Sequence, residues 1–529
     1  MKTLNILTTG AFATLLLLGS CTKDVDNPNS PGGGGEGGVV EGIPTYATIS
    51  LSQRTGAGTY AGAGDYANGN SEASPEEKKI TDAVVLVFNS NDILENYVEF
   101  TTDELKTEPY AKIISTTTGK KRLYALANLN DYSEIEAIFN GTDGHTAADK
   151  KLSNVCKVIQ RIENIAAAAT NNAFWMSNVY KLGATIEDQV TVEKGDENTN
   201  NFTIYIGRMV AKVTPTFAAD LVVNSGDGDI DTDGAKYRVR NNPKEFYTFP
   251  VYEDVQLVSP YYNLSFGGAT GEDDEEEVPE TYGSEEGALT FEDFFCNGDA
   301  AAHEPEGKPE GAVTFTPMGQ DSYLTENSPK VAQRHKVTFL SIQAKWTPDD
   351  NAIYLDTNGK VDRSEEKTVK TAIEENQGTF YRVQKWQGGK ILGYCPGIYA
   401  QTPTKWTEVG GTPGDAEGSL SEENTTLYQE AQRDQAKASK DACYLIVKYD
   451  QGLAYWAYWM RSRLDGTIAE KYALKRNNHF KVNIISVDGM GDPTEDDNLD
   501  KDEDLEADAS MKATISVLDW NVVDIEGGI

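Results

Sequence analysis

The stretch "DGDIDTDGAK" carries Asp229, Asp231, Asp233 and Gly234 in D-x-D-x-D-G spacing. In calcium loops that spacing gathers side-chain oxygens around a cation, with the glycine at a sharp turn. Only half of the ligand set is present. The twelfth position of such a loop needs a bidentate acid, and Arg240 stands there. No helical pattern flanks the stretch, so an acidic turn competes with calcium, and no metal is the favoured expectation. Four of the five cysteines, Cys156, Cys296, Cys395 and Cys443, are far apart with no C-x-x-C pair. A clustered zinc site is therefore not expected, and free core thiols are the simplest reading, with two disulfides left open. The four histidines show neither metal-ligand spacing nor a nearby nucleophile motif. There is no G-x-S-x-G, no H-E-x-x-H, no P-loop and no G-x-G-x-x-G between a strand and a helix. The chain is not expected to be an enzyme, has no candidate catalytic residue and implies no cofactor.

Two residues carry chemistry done to the chain instead. Lys2 and the apolar run "LNILTTGAFATLLLLG" form a signal peptide, too short for a mature spanning helix. It ends in "LLGSC". Gly19 and Ser20 before Cys21 resemble the bacterial lipobox, in which the cysteine becomes the lipidated first residue of the exported protein. Arg54 follows a strand pattern and opens "TGAGTYAGAGDYANGNSEASPEE", a small, polar, exposed loop. A single basic residue in that setting is accessible to a trypsin-like protease, but on these residues alone an ordinary loop arginine is the favoured reading.

Bulk properties bound the elements that position these residues. The chain has 529 residues and is 39% hydrophobic with 26 Tyr, enough for more than one core. Its net charge of -37 disfavours nucleic-acid binding through a basic surface. "TKDVDNPNSPGGGGEGGVVEG" after Cys21 reads as a flexible tether. "YATISL" alternates, with Ala47, Ile49 and Leu51 on one face. "ITDAVVLVFNS", Tyr97–Phe100, "KRLYALANLN" and "NFTIYIGRMVAKVTPTF" read as strands, the last opening or seaming a second domain. "DKKLSNVCKVIQRIENIAAAA" predicts an amphipathic helix through Leu152, Val155, Val158, Ile159, Ile162 and Ile165. "RHKVTFLSIQAKW", "ACYLIVKYD", "LAYWAYWMRSRL" and "YALKRNNHFKVNIISVDGMG" add strands among acidic loops. "DPTEDDNLDKDEDLEADAS" is an acidic linker, and "MKATISVLDWNVVDIEGGI" returns to strand character. The expected fold is mainly β, with consecutive β-sandwich domains and a few short helices.

The two ends of this body repeat each other. "ATISL" at Ala47–Leu51 and "ATISV" at Ala513–Val517 share four residues and the same alternation. Chance can produce such a match in a long chain, so its position carries the meaning.

In order, the chain presents a lipobox, a tether, a strand, an arginine at a Gly-rich loop, two β regions, an acidic linker and a last strand. "SLSQRTGAGTYAGAGDY" resembles the processing region of Bacteroidales type V fimbrial subunits, the fimbrillins. "LYALANLN" resembles that family's "YAIVN" strand, "WMSN" its "MSG" turn, and "ISVLDWNVVDIEGG" its final strand. "KRNNHFKVNIISVDGMGDP" resembles "RRNNIYNVNISKFRNIGLSGNPF" and is the clearest single match. The resemblance is strongest to the major subunit of the short fimbriae of Porphyromonas. The acidic loops near Asp273 and Asp500 are more charged than the family pattern.

The resemblance implies two consecutive transthyretin-like, Greek-key β-sandwich domains plus a C-terminal donor strand. Its layout is a signal peptide (1–20), a lipidated propeptide with a temporary strand (21–54), an N-terminal domain (55–200), a C-terminal domain (201–491), the acidic linker (492–510) and the donor strand (511–529). It implies lipidation at Cys21, an outer-membrane lipoprotein precursor, and cleavage after Arg54 by an arginine-specific protease. Loss of the strand holding Ala47, Ile49 and Leu51 opens a groove. A neighbour's strand, with Ala513, Ile515, Val517, Leu518 and Trp520, fills it, so that identical subunits polymerise head to tail into cell-surface fimbriae. Anchor and tip subunits are the further partners implied. Two other readings stay open: a tip or anchor subunit, and a surface glycan-binding lipoprotein that uses the aromatics of "YWAYWM" for sugar stacking.

Overall fold

The computed structural model describes residues 39–53, 67–161, 173–261, 315–355, 378–400, 443–495 and 511–521, apart from short gaps within these ranges, and a few two-residue strands between 281 and 413. Glu41–Ile529 forms one compact unit. The protein is mainly β.

The strands of the N-terminal half are β1 (Pro44–Gln53), β2 (Ala67–Glu72), β3 (Ala83–Phe88), β4 (Leu94–Glu99), β5 (Tyr110–Thr117), β6 (Gly119–Ala127), β7 (Ile159–Arg161), β8 (Met176–Ser177), β9 (Tyr180–Leu182), β10 (Val190–Val192) and β11 (Asn201–Arg208). One sheet runs β4-β3-β6-β8-β11-β1-β5, with β10 also paired to β6. β3 shows why this sheet must be covered on both faces. All six residues of its AVVLVF run are buried. Val85 and Val87 join Ala47, Ile49, Leu51, Ile114, Ala125, Ile204 and Ile206 on one face. Val84, Leu86 and Phe88 point the other way, onto Ile135 and Ile138 of helix α2 (Ser133–Asn140) and onto Phe246 and Phe249. A strand buried on both faces reads as a continuous apolar run, as this one does.

The second core lies between two further sheets. β12 (Ala211–Val223) pairs in parallel with the Asn478–Val487 strand, which pairs with the C-terminal strand Met511–Asn521; β2 closes that edge and Ser322–Leu324 the other. Facing it is a sheet of Thr316–Pro317, β13 (Gly228–Arg240), Phe339–Pro348 and Leu453–Trp459. Val213, Phe480, Val482 and Ile484 from one sheet meet Tyr237, Leu340, Ile342 and Trp456 from the other. A sandwich core of this kind forms when inward-facing residues of two sheets interdigitate. Of the aromatics of "YWAYWM", Trp456 and Tyr458 belong to this core and Trp459 packs with Phe339 and Tyr472. Trp456, Tyr458 and Trp459 are buried, so they make core rather than an exposed stacking platform.

Two elements depart from the sequence expectation. The helix expected from Asp149 onward is a single turn, Leu152–Val155, followed by β7, which pairs with Glu245–Tyr247. Leu152, Val155 and Cys156 are buried, but Ile159 is 40% exposed, so the apolar stripe does not continue on one face. Thr248 N–H donates to Val158 O at 2.9 Å, and that tertiary pairing outweighs the helical period. Ile162 and Ile165 lie outside the described residues. The run expected as one strand from Asn201 to Phe217 breaks at Met209–Val210. Asn201–Arg208 stays in the first sheet beside β1, and the chain changes sheets between Arg208 and Ala211.

Candidate functional site: the strand between β5 and β11

β1 alternates between buried and more open residues along its length, and this follows from its sequence. Thr45, Ala47, Ile49, Leu51 and Gln53 are buried, with Ala47, Ile49 and Leu51 at 1%, 0% and 1% exposure. Tyr46, Thr48, Ser50 and Ser52 turn to the outer face, where Tyr46 is 49% exposed. The strand lies between two others. It runs parallel to β11, with Ile49 opposite Phe202 and Leu51 opposite Ile204. It runs antiparallel to β5, with Ala47 opposite Ile114 and Ile49 opposite Lys112.

Both ends of β1 are tied. At its start, Thr118 N–H donates to Ile43 O at 2.8 Å and Gly42 N–H to Thr118 O at 3.0 Å. Thr45 Oγ1 donates to Gly195 O at 3.0 Å, and Asn200 Nδ2 donates to Tyr46 O at 2.9 Å. At its end, Gln53 Nε2 donates to Lys78 O, in helix α1 (Pro75–Lys78). Arg208, two residues beyond the residue paired with Gln53, donates through Nε to Glu77 O at 3.0 Å. The side chain of Glu77 sits 3.3 Å from Lys212 Nζ and accepts from Tyr323 OH at 3.1 Å. None of Thr45, Asn200, Gln53 or Arg208 carries a sequence signal that would mark it in advance.

β5 depends on β1. Within the sheet its ladder partner is β1, and beyond that side chains hold it: Asn96 Nδ2 donates to Ser115 O, and Thr117 Oγ1 to Glu95 Oε1.

The C-terminal strand has the same neighbour geometry as β1. It is antiparallel to Asn478–Val487 on one side and parallel to β2 on the other. Ala513 lies opposite Ile484, Ile515 opposite Val482 and Val517 opposite Phe480, and Ile484, Val482 and Phe480 are core residues of the second sandwich. Leu518 and Trp520 lie in the same strand, opposite His479 and Ser71. Cys21, Arg54 and Thr55 lie outside the described residues.

The acidic candidates resolve differently. Asp229, Asp231 and Asp233 lie on β13, and Asp231 Oδ1 accepts from Asp233 N–H at 3.0 Å, an acidic bend closed on its own backbone. Among the described residues no three His, Cys, Asp or Glu side chains converge as a metal site. Arg240, standing where a calcium loop needs an acid, lies 3.2 Å from Glu495, which also pairs with Arg238. The first residues of the acidic linker are thus docked, with Asp492 and Tyr455 exchanging backbone bonds. Residues 496–510 lie outside the described residues.

The "KRNN" segment has a structural task. Arg476 is 1% exposed and pairs through two nitrogens with Glu326, which is fully buried. It also donates to Tyr247 O and Thr248 O and lies over the Phe246 ring. Asn477 adopts φ 59°, accepts from Arg208 N–H at 2.9 Å and donates its own N–H to Val210 O at 2.8 Å. Asn477 thus joins the strand beside the C-terminal strand to the sheet that holds β1, and Arg476 ties it to Tyr247, Thr248 and Glu326.

Comparison with known proteins places these features. Residues 47–235 match the family model "Major fimbrial subunit protein (FimA)". Residues 447–526 match "Major fimbrial subunit protein type IV, Fimbrillin, C-terminal". No curated protein matches the sequence. Among solved structures, a fimbrilin (fimA) from Porphyromonas gingivalis is 15% identical, covering 90% of this chain and 98% of that one at TM-score 0.39. A putative cell adhesion protein from Parabacteroides distasonis is 10% identical, covering 91% and 100% at 0.40. The tip fimbrial protein Mfa3 from P. gingivalis is 12% identical, covering 90% and 100% at 0.31. The first model begins at the buried Ala47 of β1 and the second takes in the whole C-terminal strand; the chain belongs to the fimbrillins, the family of major fimbrial subunits.

Proposed function

We propose that this fimbrial subunit, a non-enzymatic structural protein of cell-surface fimbriae, polymerises by exchanging β1 for the C-terminal strand of a neighbour. The observation that carries the reading is β1 itself: an interior strand, buried on one face and paired on both edges, directly preceding Arg54. In this account the precursor is lipidated at Cys21 and exported to the outer membrane. An arginine-specific protease cuts between Arg54 and Thr55, and residues 21–54 leave with β1. Burying an Ile or Leu side chain is worth about 1.5–3 kcal/mol. Loss of Ile49 and Leu51 therefore costs several kcal/mol and leaves unpaired backbone groups on β5 and β11. A strand from another chain repairs both deficits, main-chain bonds giving affinity and alternate side chains giving fit. Ala513, Ile515 and Val517 repeat the spacing and size of Ala47, Ile49 and Leu51. The contact is heterologous and does not close, so it propagates as a filament. Anchor and tip subunits would end the polymer. Domain limits of 55–200 and 201–491, an acidic linker at 492–510 and a donor at 511–529 complete the layout.

Low-dose trypsin on purified precursor tests the reading. A new N-terminus at Thr55 together with SDS-resistant ladders supports it. Absence of a cut near Arg54, or a cut that leaves only monomers, sinks it. A tip subunit would be cut and would accept a strand, yet never lengthen a ladder.

A further inference from the structure

Aligning the two "ATIS" runs sets Met511 over Thr45, Ala513 over Ala47, Ile515 over Ile49, Val517 over Leu51 and Asp519 over Gln53. The first four inward positions exchange one small or apolar group for another. The fifth exchanges an amide for an acid, at a position where Gln53 is 9% exposed. An acid on the inward face of a strand is costly unless a cation receives it.

The surroundings of Gln53 supply that cation. Gln53 and Arg208 both reach the C-terminal end of α1, through Lys78 O and Glu77 O. A carboxylate cannot donate to Lys78 O, so the interaction that holds Gln53 is not open to Asp519. Arg208 is 3% exposed and donates to the Glu77 backbone carbonyl, while the buried Lys212 lies 3.3 Å from the Glu77 carboxylate. Burial pulls the Arg208 guanidinium down to about 10, with Glu77 acting against it. Lys212 also faces Asp321 at 3.4 Å, but that side chain is 40% exposed. This end of the groove thus holds the buried guanidinium of Arg208 beside Lys212 and Glu77. On β11, Arg208 lies two residues beyond Ile206, the partner of Gln53, and so on the same face of the sheet.

We infer that Asp519 of an incoming strand takes the place of Gln53 and pairs with Arg208, fixing the register of the exchanged strand. This rests on the donor-strand reading and sharpens it. A slip of one residue is already prevented, because it turns the apolar set outward. A slip of two keeps the faces and places Val517 by Arg208. Ala513, Ile515 and Val517 cannot exclude that slip by type alone; a carboxylate seeking a buried guanidinium does.

The test uses the full precursor as wild type, Asp519→Asn, Asp519→Glu and Ile515→Asp, each cut by low-dose trypsin. Melting curves first establish that the monomers fold alike. Asp519→Asn is expected to polymerise on the order of tenfold more slowly, with weaker salt dependence, while Asp519→Glu stays close to wild type. In a second arm, a synthetic peptide of residues 511–529 competes with polymerisation of the wild-type protein, and the same peptide carrying Asp519→Asn should be on the order of tenfold weaker. This arm needs no variant protein to fold. If Asp519→Asn and its peptide match wild type while Ile515→Asp is inert, the Arg208 pairing is overturned and strand exchange survives. If Ile515→Asp also forms normal ladders, the exchange reading itself fails.

Discussion

Arg476 and Glu326 are the residues on which the join between the two β regions turns. Both are essentially without solvent, and their bidentate geometry satisfies a charge that burial would otherwise expel. Burial pushes the Glu326 carboxyl above the usual carboxylate range, and Arg476 pulls the other way. Removing one partner leaves a buried charge alone, whereas removing both leaves a cavity that apolar groups can fill. Glu326→Gln should therefore lower unfolding free energy by about 3–5 kcal/mol, and Glu326→Leu with Arg476→Met should recover much of it, as urea midpoints would reveal. His479 gives a prediction in pH. Its side chain contacts Thr214 Oγ1 at 2.6 Å, with Lys212, Lys481 and Asp321 around it. Burial, then Lys212, hold its pKa down at about 3 against an ordinary 6.5. A depressed folded-state value means that the unfolded chain takes up a proton that the folded chain refuses. The His479 contribution is present above pH 6.5 and is lost as pH falls from there toward 3. His479→Gln should flatten stability against pH in that window relative to wild type, and leave the slope above pH 7 unchanged.

At the level of elements, β5 is the informative one, because it is laddered to the rest of the first sheet through β1. Cutting at Arg54 should therefore disturb β5 more than β3 or β6. Hydrogen exchange of Tyr110–Thr117 should rise by orders of magnitude in the cut monomer and fall again in the polymer, while Ala83–Phe88 stays protected throughout. Equal protection of β5 before and after cutting would contradict its dependence on β1. The sequence made β1 and β3 readable for simple reasons: period-two alternation marks a strand with one buried face, and an unbroken apolar run marks one buried on both. It misled at Leu152–Arg161, where apolar residues at helical spacing end in a strand because Glu245–Tyr247, far along the chain, offers backbone partners. It also ran β11 and β12 together, since a turn at Met209–Val210 between two buried strands needs neither Gly nor Pro. Of the site, the inward triad of β1 was legible as alternation. The walls β5 and β11, and the buried charges around Glu77, were not, because pairing partners and burial are set by the fold rather than by local pattern.

At the scale of the whole molecule, the chain carries two similar strands, and under the exchange proposed above the one that occupies the groove between β5 and β11 decides between monomer and filament. In the single chain the C-terminal strand completes its own sheet beside Asn478–Val487, while β1 completes the other. The proposed exchange asks for two separable capacities, an emptied groove and a strand free to be given. Each can be removed alone. Arg54→Ala keeps β1 attached, so that chain gives but does not accept. Ile515→Asp, cut normally at Arg54, accepts but gives a strand with a charge at a position that must be apolar, at a cost of several kcal/mol. Either variant alone should stay monomeric. Mixed in equal amounts and treated with low-dose trypsin under conditions that spare the uncut chain, they should yield dimers and no longer species, because one contact forms and neither end can extend it. Added to wild type as a one-tenth fraction, cut Ile515→Asp should shorten filaments markedly by stopping growth where it is incorporated. Long filaments from the variant pair, or wild-type lengths in its presence, would show that subunits join by another contact.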